Sequence, residues 1–311
     1  MAMHRAVGKA VLAVSVALAT VAAPGTSGAE PATVETCERW AATTVAAGYG
    51  ILENLAFDGR GGMLLSEVPA SGPGGALRRH GADGSREVLA RASSPGAIVV
   101  AGNTAYFTTG NALSSGFAGR TDGTIEALEL ARGTVSTVAA GLTAPNGLAQ
   151  LPDGDFVVSR DLGEPTTLTR IAGDGSGARP YVTELTSTNG LAYDPNRRKL
   201  FVSTTFDPTT TVAAIDLDRA DAAPARITLP GFGPLNSADD LTVGADGNVY
   251  LALNAAGRVV RGDRDTGRSC VVAEGIPFAT SPRFGAGPGW DPRSLYVTSF
   301  AGTVTRLTPP A

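Results

Sequence analysis

The chain has 311 residues, with 25 Lys and Arg against 29 Asp and Glu, for a formal net charge of −4. An acidic balance without a basic stripe argues against a nucleic-acid partner. The 40 glycines and 20 prolines recur at regular turns instead of gathering in one linker, and helical periodicity is weak beyond the first 29 residues.

Those first residues read as a secretory signal. His4, Arg5 and Lys9 give a positive start, residues 11–23 are apolar but short for a membrane span, and Ser27-Gly28-Ala29 is a small-residue cleavage site. Cleavage after Ala29 removes Arg5 and Lys9 and no acid, moving the net charge from −4 to −6. No later stretch is apolar for long enough to span a bilayer. The expectation is a secreted protein with no membrane segment in its mature form, residues 30–311 making one domain and a monomer.

From residue 51 onward a short polar-to-apolar step recurs six times. Its first residues are Glu53, Gly96, Asn146, Asn189, Asp239 and Arg283, spaced alternately by about 43 and 50 residues. A period in this range marks a propeller or solenoid. Each repeat reads as four short strands with turn chemistry between them. In the third, residues 147–150, 156–159, 167–171 and 181–183 are strands around the turn Pro152-Asp153-Gly154. The fourth has residues 190–193, 199–203, 212–216 and 226–229, and the fifth residues 241–243, 249–253, 258–262 and 270–273. The expected fold is all-β, a six-bladed β-propeller.

The sixth repeat ends one strand short, at Ala311. Residues 43–48, Thr-Thr-Val-Ala-Ala-Gly, closely match residues 136–141, Ser-Thr-Val-Ala-Ala-Gly, the fourth strand of repeat two. The mature N-terminus is therefore expected to complete blade six and close the ring, removing an open sheet edge. Cys270 begins the fourth strand of blade five and Cys37 precedes the strand borrowed by blade six. A secreted chain with these two cysteines is expected to join them in one disulfide that fastens the closure.

If each step opens the innermost strand of a blade, the six first residues ring one central opening. Glu53 and Asp239 bring two carboxylates there, and Asn146 and Asn189 two amide oxygens, a ligand set for calcium or another oxygen-preferring divalent cation. An Asn-Gly pair alone is an ordinary turn; the signal is four ligand-type residues in one register. The only histidines are His4 and His80, which argues against zinc and against a Ser-His-Asp mechanism. The longest loop on the same face, residues 110–122, carries Phe117 and Arg120, candidate substrate contacts as lid or wall. Arg283 would add a cationic substrate contact, or pair with Asp239.

Glu53, Asn146, Asn189 and Asp239 resemble the calcium site of the gluconolactonase and senescence-marker-protein family, whose six-bladed propellers hold calcium by a glutamate, two asparagines and an aspartate. The resemblance spans about residues 37–311 and implies hydrolysis of a lactone or related ester, with the metal polarising the carbonyl and Asp239 as catalytic base or nucleophile. Three positions depart from the family pattern. Asn54 follows Glu53 where Gly-Pro is common, Asp240 follows Asp239 where Gly is common, and Ala144 replaces the arginine that grips sugar acids. The alternative is a non-catalytic propeller in which the metal pins the blades and the loop face holds a ligand or partner.

Overall fold

Alternating Val, Ile, Leu and Tyr between turns such as Asp246-Gly247 builds strands that bury both faces. In Val249–Leu253, Val249, Leu251 and Leu253 pack with Phe201 and Val212 of the preceding blade, whereas Tyr250 and Ala252 pack with Leu295 and Val297 of the next. The computed structural model describes residues 35–69, 74–219 and 221–311. The chain divides into residues 1–31 and residues 32–311; the expected signal, residues 1–29, lies outside the described residues.

The described residues form a six-bladed β-propeller. The inner strands are Ile51–Phe57, Ile98–Ala101, Leu148–Gln150, Thr188–Asp194, Ala238–Val243 and Ala279–Phe284, and each leads an antiparallel sheet of strands in sequence order. The core is distributed: six clusters of buried apolar residues lie at the six blade junctions. Truncating a large side chain such as Phe201, fully buried at the junction of blades four and five, would cost about 3–5 kcal/mol.

The ring closes as expected. Ala41–Ala46 pairs antiparallel with Thr303–Thr308, Thr43 opposite Arg306 and Thr44 opposite Thr305, so the N-terminal strand becomes the outer strand of blade six. Cys37 and Cys270 form a disulfide with a Cα–Cα distance of 5.3 Å. One element was not anticipated. Glu35–Thr36 pairs in parallel with the outer strand of blade five, Ser269–Glu274, extending that sheet to five strands. One expected strand shifts: the fourth of blade three is Ala178–Tyr181, because Val182 turns the chain with φ +47°. No helix among the described residues is long and apolar enough to cross a membrane.

Candidate functional site

Glu53, Asn146, Asn189 and Asp239 all open inner strands at one end of the central channel. A repeated hydroxyl clamp sets their register. Ser66, Thr108, Ser159 and Ser203, each on or beside a second strand, donate to the backbone carbonyls of Gly96, Asn146, Asn189 and Asp239 in the following blade. The same closeness explains the glycine after each asparagine. A Cβ on Gly147 would collide with the Asn189 carbonyl, and one on Gly190 would sit 2.5 Å from Asp240 Cα. The Asn-Gly pairs are therefore sites of close approach between blades rather than turns.

Blade six departs from the expected register. In four of the other blades a residue with left-handed backbone stands two positions before the ring member, Ser94, Ala144, Ser187 and Ser237, and in blade six the matching residue is Phe278. Strand pairing agrees, since Ala279 opposite Ser299 corresponds to Ala238 opposite Leu253. The sixth ring member is thus Thr280, whose hydroxyl donates to the Leu52 carbonyl at 2.9 Å. Arg283 lies three residues further down the channel. Its guanidinium meets Asp240 Oδ2 at 2.7 Å and donates to the carbonyls of Leu241 and Pro282. The expected alternative pairing with Asp239 is replaced by pairing with its neighbour.

Above the first ring stands a second tier, contributed by residues just past the second strands. Asn111, Thr205, Asn254 and Phe300 donate their backbone N–H groups to Ser94, Ser187, Ser237 and Phe278, and Asp161 holds the corresponding place in blade three, two residues after Ser159 as Thr205 is after Ser203. Asn111 Nδ2 donates to Glu53 Oε1 at 3.1 Å and Asn254 Nδ2 to Asp239 Oδ2 at 3.4 Å. Asn189 Nδ2 reaches Asp161 Oδ2 at 3.5 Å. Sequence reasoning missed Asp161, Asn111, Asn254 and Thr280. For Asp161 the legible signal was its place two residues beyond the clamp Ser159; Asn254, which follows Ala252 at that spacing, carried none.

The site crowds four carboxyl groups, those of Glu53, Asp161, Asp239 and Asp240, close together. Burial first, then the charges of Asp161 and Asp240, push the Glu53 carboxyl up to about 8, against a weaker opposing bond from Asn111. Burial, then Glu53, Asp240 and Asp161, raises Asp239 well above the usual carboxylate range. Burial takes Asp161 up to about 6. Carboxylates crowded in this way favour a bound cation, which inverts the local charge balance.

Two buried oxygens make the fit to a cation specific. Thr205 gives its hydroxyl hydrogen to the Ala238 carbonyl at 2.7 Å, so its oxygen must accept from Asn189 Nδ2, 2.9 Å away. That fixes the amide and leaves Asn189 Oδ1 buried without a partner. Asp161 Oδ1 is likewise unpartnered. Each such oxygen costs about 1–3 kcal/mol unless something donates to it or coordinates it. Among the described residues no three His, Cys, Asp or Glu side chains group as a metal cluster by themselves; this set mixes carboxylates with amides.

The remaining expected contacts lie on the loop face. Arg120 is engaged inside its own loop, with Asp122 at 3.3 Å and with the Ser114 and Ser115 hydroxyls. Phe117, on the short helix Leu113–Ala118, is 73% exposed. At the far mouth of the channel a recess of about 450 Å³ is lined by residues such as Ile98, Leu148, Tyr193 and Arg283. The only charged residue lining the far recess, Arg283, is paired with Asp240.

Residues 77–301 match the SMP-30/Gluconolactonase/LRE-like region, and the chain belongs to that family. No curated protein sequence matches it. Among solved structures it is similar to a gluconolactonase from Xanthomonas campestris, with 19% identity over 86% of this chain and 89% of that one and a TM-score of 0.65. An aldose sugar dehydrogenase from Streptomyces coelicolor in its PQQ-bound form is 16% identical over 88% and 99%, TM-score 0.64. Virginiamycin B lyase from Staphylococcus aureus is 10% identical over 88% and 99%, TM-score 0.56. At these identities the likeness establishes the propeller, which hosts several chemistries, so activity must be argued from the site.

Proposed function

We propose that this chain is a secreted, calcium-dependent lactonase-type hydrolase acting on a small lactone or related ester. The observation that carries the reading is the unpartnered Asn189 Oδ1, held beside Asp161, Asn146, Glu53 and Asp239 at the channel mouth. Glu53, Asn146, Asn189 and Asp239 would hold the ion, and Asp161 stands close enough to Asn189 to join them. A divalent cation there supplies a Lewis acid for an ester carbonyl and its developing oxyanion.

The chain's own residues do the rest. Asn254 donates to one Asp239 oxygen; the other would take a proton from water that attacks the carbonyl carbon, or would attack that carbon itself, with the C–O bond of the ester breaking and the alcohol oxygen leaving protonated. Asn111 holds Glu53, and Thr205 fixes the amide of Asn189. The Cys37–Cys270 bond supports an oxidising, extracellular destination.

The test is metal content of the purified protein together with a lactone and ester panel, with and without chelator. Turnover abolished by chelation and restored by calcium supports the reading; turnover indifferent to chelator removes the metal from the chemistry. Absence of turnover on every lactone and ester would leave a propeller that binds a ligand on its loop face. Secretion is checked by N-terminal sequencing of the exported protein, expected to begin at Glu30.

A further inference from the structure

The two ends of the propeller differ in their exposed side chains. Among the described residues ten large apolar side chains are exposed. Val45, Val88 and Val135 lie on outer strands, and the other seven all sit in connections on the loop face that carries the candidate site. Leu113 and Phe117 belong to the helix Leu113–Ala118 of blade two. Phe206 follows Thr205, and Phe232 and Leu235 flank or form the short helix Gly233–Asn236 before blade five. Phe278 and Phe300 rise between blades five and six. The opposite end instead carries charged turns closed by pairs such as Asp58–Arg79, Asp194–Arg197 and Asp291–Arg306.

The apolar groups are tied to the polar tier beneath them. Phe300 occupies the tier of Asn111, Asp161 and Asn254, and its N–H bonds the Phe278 carbonyl at 3.1 Å. Phe206 N–H donates to Ser187 Oγ at 2.8 Å, next to the Thr205 that orients Asn189. The helix of Phe117 rests on blade three through Arg160 Nη2 and the Gly116 carbonyl, 3.2 Å apart, and the helix of Leu235 rests on blade four through Gly233 N and the Pro208 carbonyl, 2.9 Å. Scattered exposed apolar residues mean little, but a set confined to one face around a polar floor marks a binding surface.

We infer that the substrate is amphiphilic: a lactone or ester whose reacting carbonyl meets the polar floor while an alkyl or aryl tail of several carbons lies on the rim formed by Phe117, Phe206, Phe232, Phe278 and Phe300. This rests on the hydrolase reading for the carbonyl, and on the rim alone for the tail. A polyhydroxylated sugar lactone would meet phenyl rings where it needs hydrogen-bond partners. An anionic lipid surface is disfavoured by the acidic chain and by Asp122, Glu164, Glu184 and Asp207 on the same face.

The experiment uses the full secreted protein, a series of γ-lactones with alkyl tails of increasing length, and the matching non-hydrolysable lactams in a binding assay. Full burial of a methylene corresponds to about a fourfold gain, so an open rim should give about twofold per methylene in kcat/KM and in lactam affinity. The Phe117→Ser, Phe232→Ser and Phe278→Asn variants, the last keeping a residue tolerant of left-handed backbone, should flatten both slopes, bringing long-tail lactones down to the level of short-tail ones in each variant. Equal handling of short and long tails overturns the inference and leaves the hydrolase intact. Tail-dependent lactam binding without turnover overturns the hydrolase and keeps the rim. If instead the protein sediments with phosphatidylcholine vesicles and the variants abolish that while the tail slopes are flat, the rim is a lipid-docking surface and the inference fails.

Discussion

Asn54 Nδ2 and Asp240 Oδ2 are 2.7 Å apart, although 186 residues separate them in the chain. Both occupy positions where the family pattern commonly has glycine, and the two departures answer each other. Asp240 Oδ2 also receives Ser281 Oγ at 2.6 Å and Arg283 Nη2 at 2.7 Å, while Oδ1 accepts from Leu241 N at 2.8 Å. Asn54 Oδ1 in turn accepts from Ile98 N at 3.1 Å. Blades one, two, five and six are thus fastened to one carboxylate below the candidate metal site.

Asp240→Ala should therefore act on stability first. It removes the carboxylate partner of the partly buried Arg283 guanidinium and leaves the buried donors of Asn54, Ser281 and Leu241 without theirs, a loss of about 3–5 kcal/mol on the scale of broken buried pairs. Urea unfolding at unchanged m-value measures it. A loss below about 1 kcal/mol would show that the carboxylate does not fasten the blades.

The ring closure gives a second prediction. The Cys37–Cys270 bond spans 233 residues, and loop entropy assigns such a bond about 5.5 kcal/mol before any native cost. Cys37→Ser and reduction should lower the thermal midpoint equally. Equal midpoints with and without reductant would mean that the strand Ala41–Ala46 holds by pairing and packing alone.

Much of this architecture was legible in the sequence because it is local. Period-two alternation and turn residues located the strands, and the likeness of residues 43–48 to residues 136–141 revealed the closure. The ring was legible in five blades, where a ring residue is followed by apolar strand. In blade six Ser281-Pro282-Arg283 blurred that step, and the register slipped by three residues, giving Arg283 the place of Thr280. The second tier was hidden for another reason. Asp161 and Asn254 sit in loops of ordinary polar composition, and only folding brings them over residues 28 and 15 positions away. Asp240 could not be told from a solvated loop acid, because its four partners come from distant parts of the chain or from its own backbone.

The crowded carboxylates predict an unusual pH dependence for the metal-free protein. Glu53 titrates near 8 in the folded chain against 4.5 unperturbed, and Asp161 near 6 against 3.8. The folded state then holds protons that the unfolded chain has released. That stability is fully present below the unperturbed values and is lost as pH rises, through about 6 for Asp161 and about 8 for Glu53. With chelator, the thermal midpoint should fall from pH 5 to pH 8, and Glu53→Gln should flatten the upper part of the fall. Added calcium should raise the midpoint more at pH 8 than at pH 5, since a cation prefers the ionised ligands. A chelated midpoint that rises over this interval would refute the crowding.

The last prediction separates holding a metal from performing chemistry. Asp239→Asn keeps an oxygen at the ring and its neighbour Asn254, but removes a charge and the basic group. It should retain part of the calcium affinity and lose about 10²–10⁴ of kcat, the span associated with a positioned base. Glu53→Gln removes a charge held by Asn111 and should chiefly weaken calcium binding, so activity should return at high calcium. Asp161→Asn discriminates further. If Asp161 joins the ligands, calcium affinity falls while kcat at saturating calcium stays near the parent value; if it only orients Asn189, affinity changes little. Calorimetric calcium titrations beside lactone turnover read both quantities. Should Asp239→Asn hydrolyse the best lactone as fast as the parent at saturating calcium, its carboxylate takes no part in the reaction.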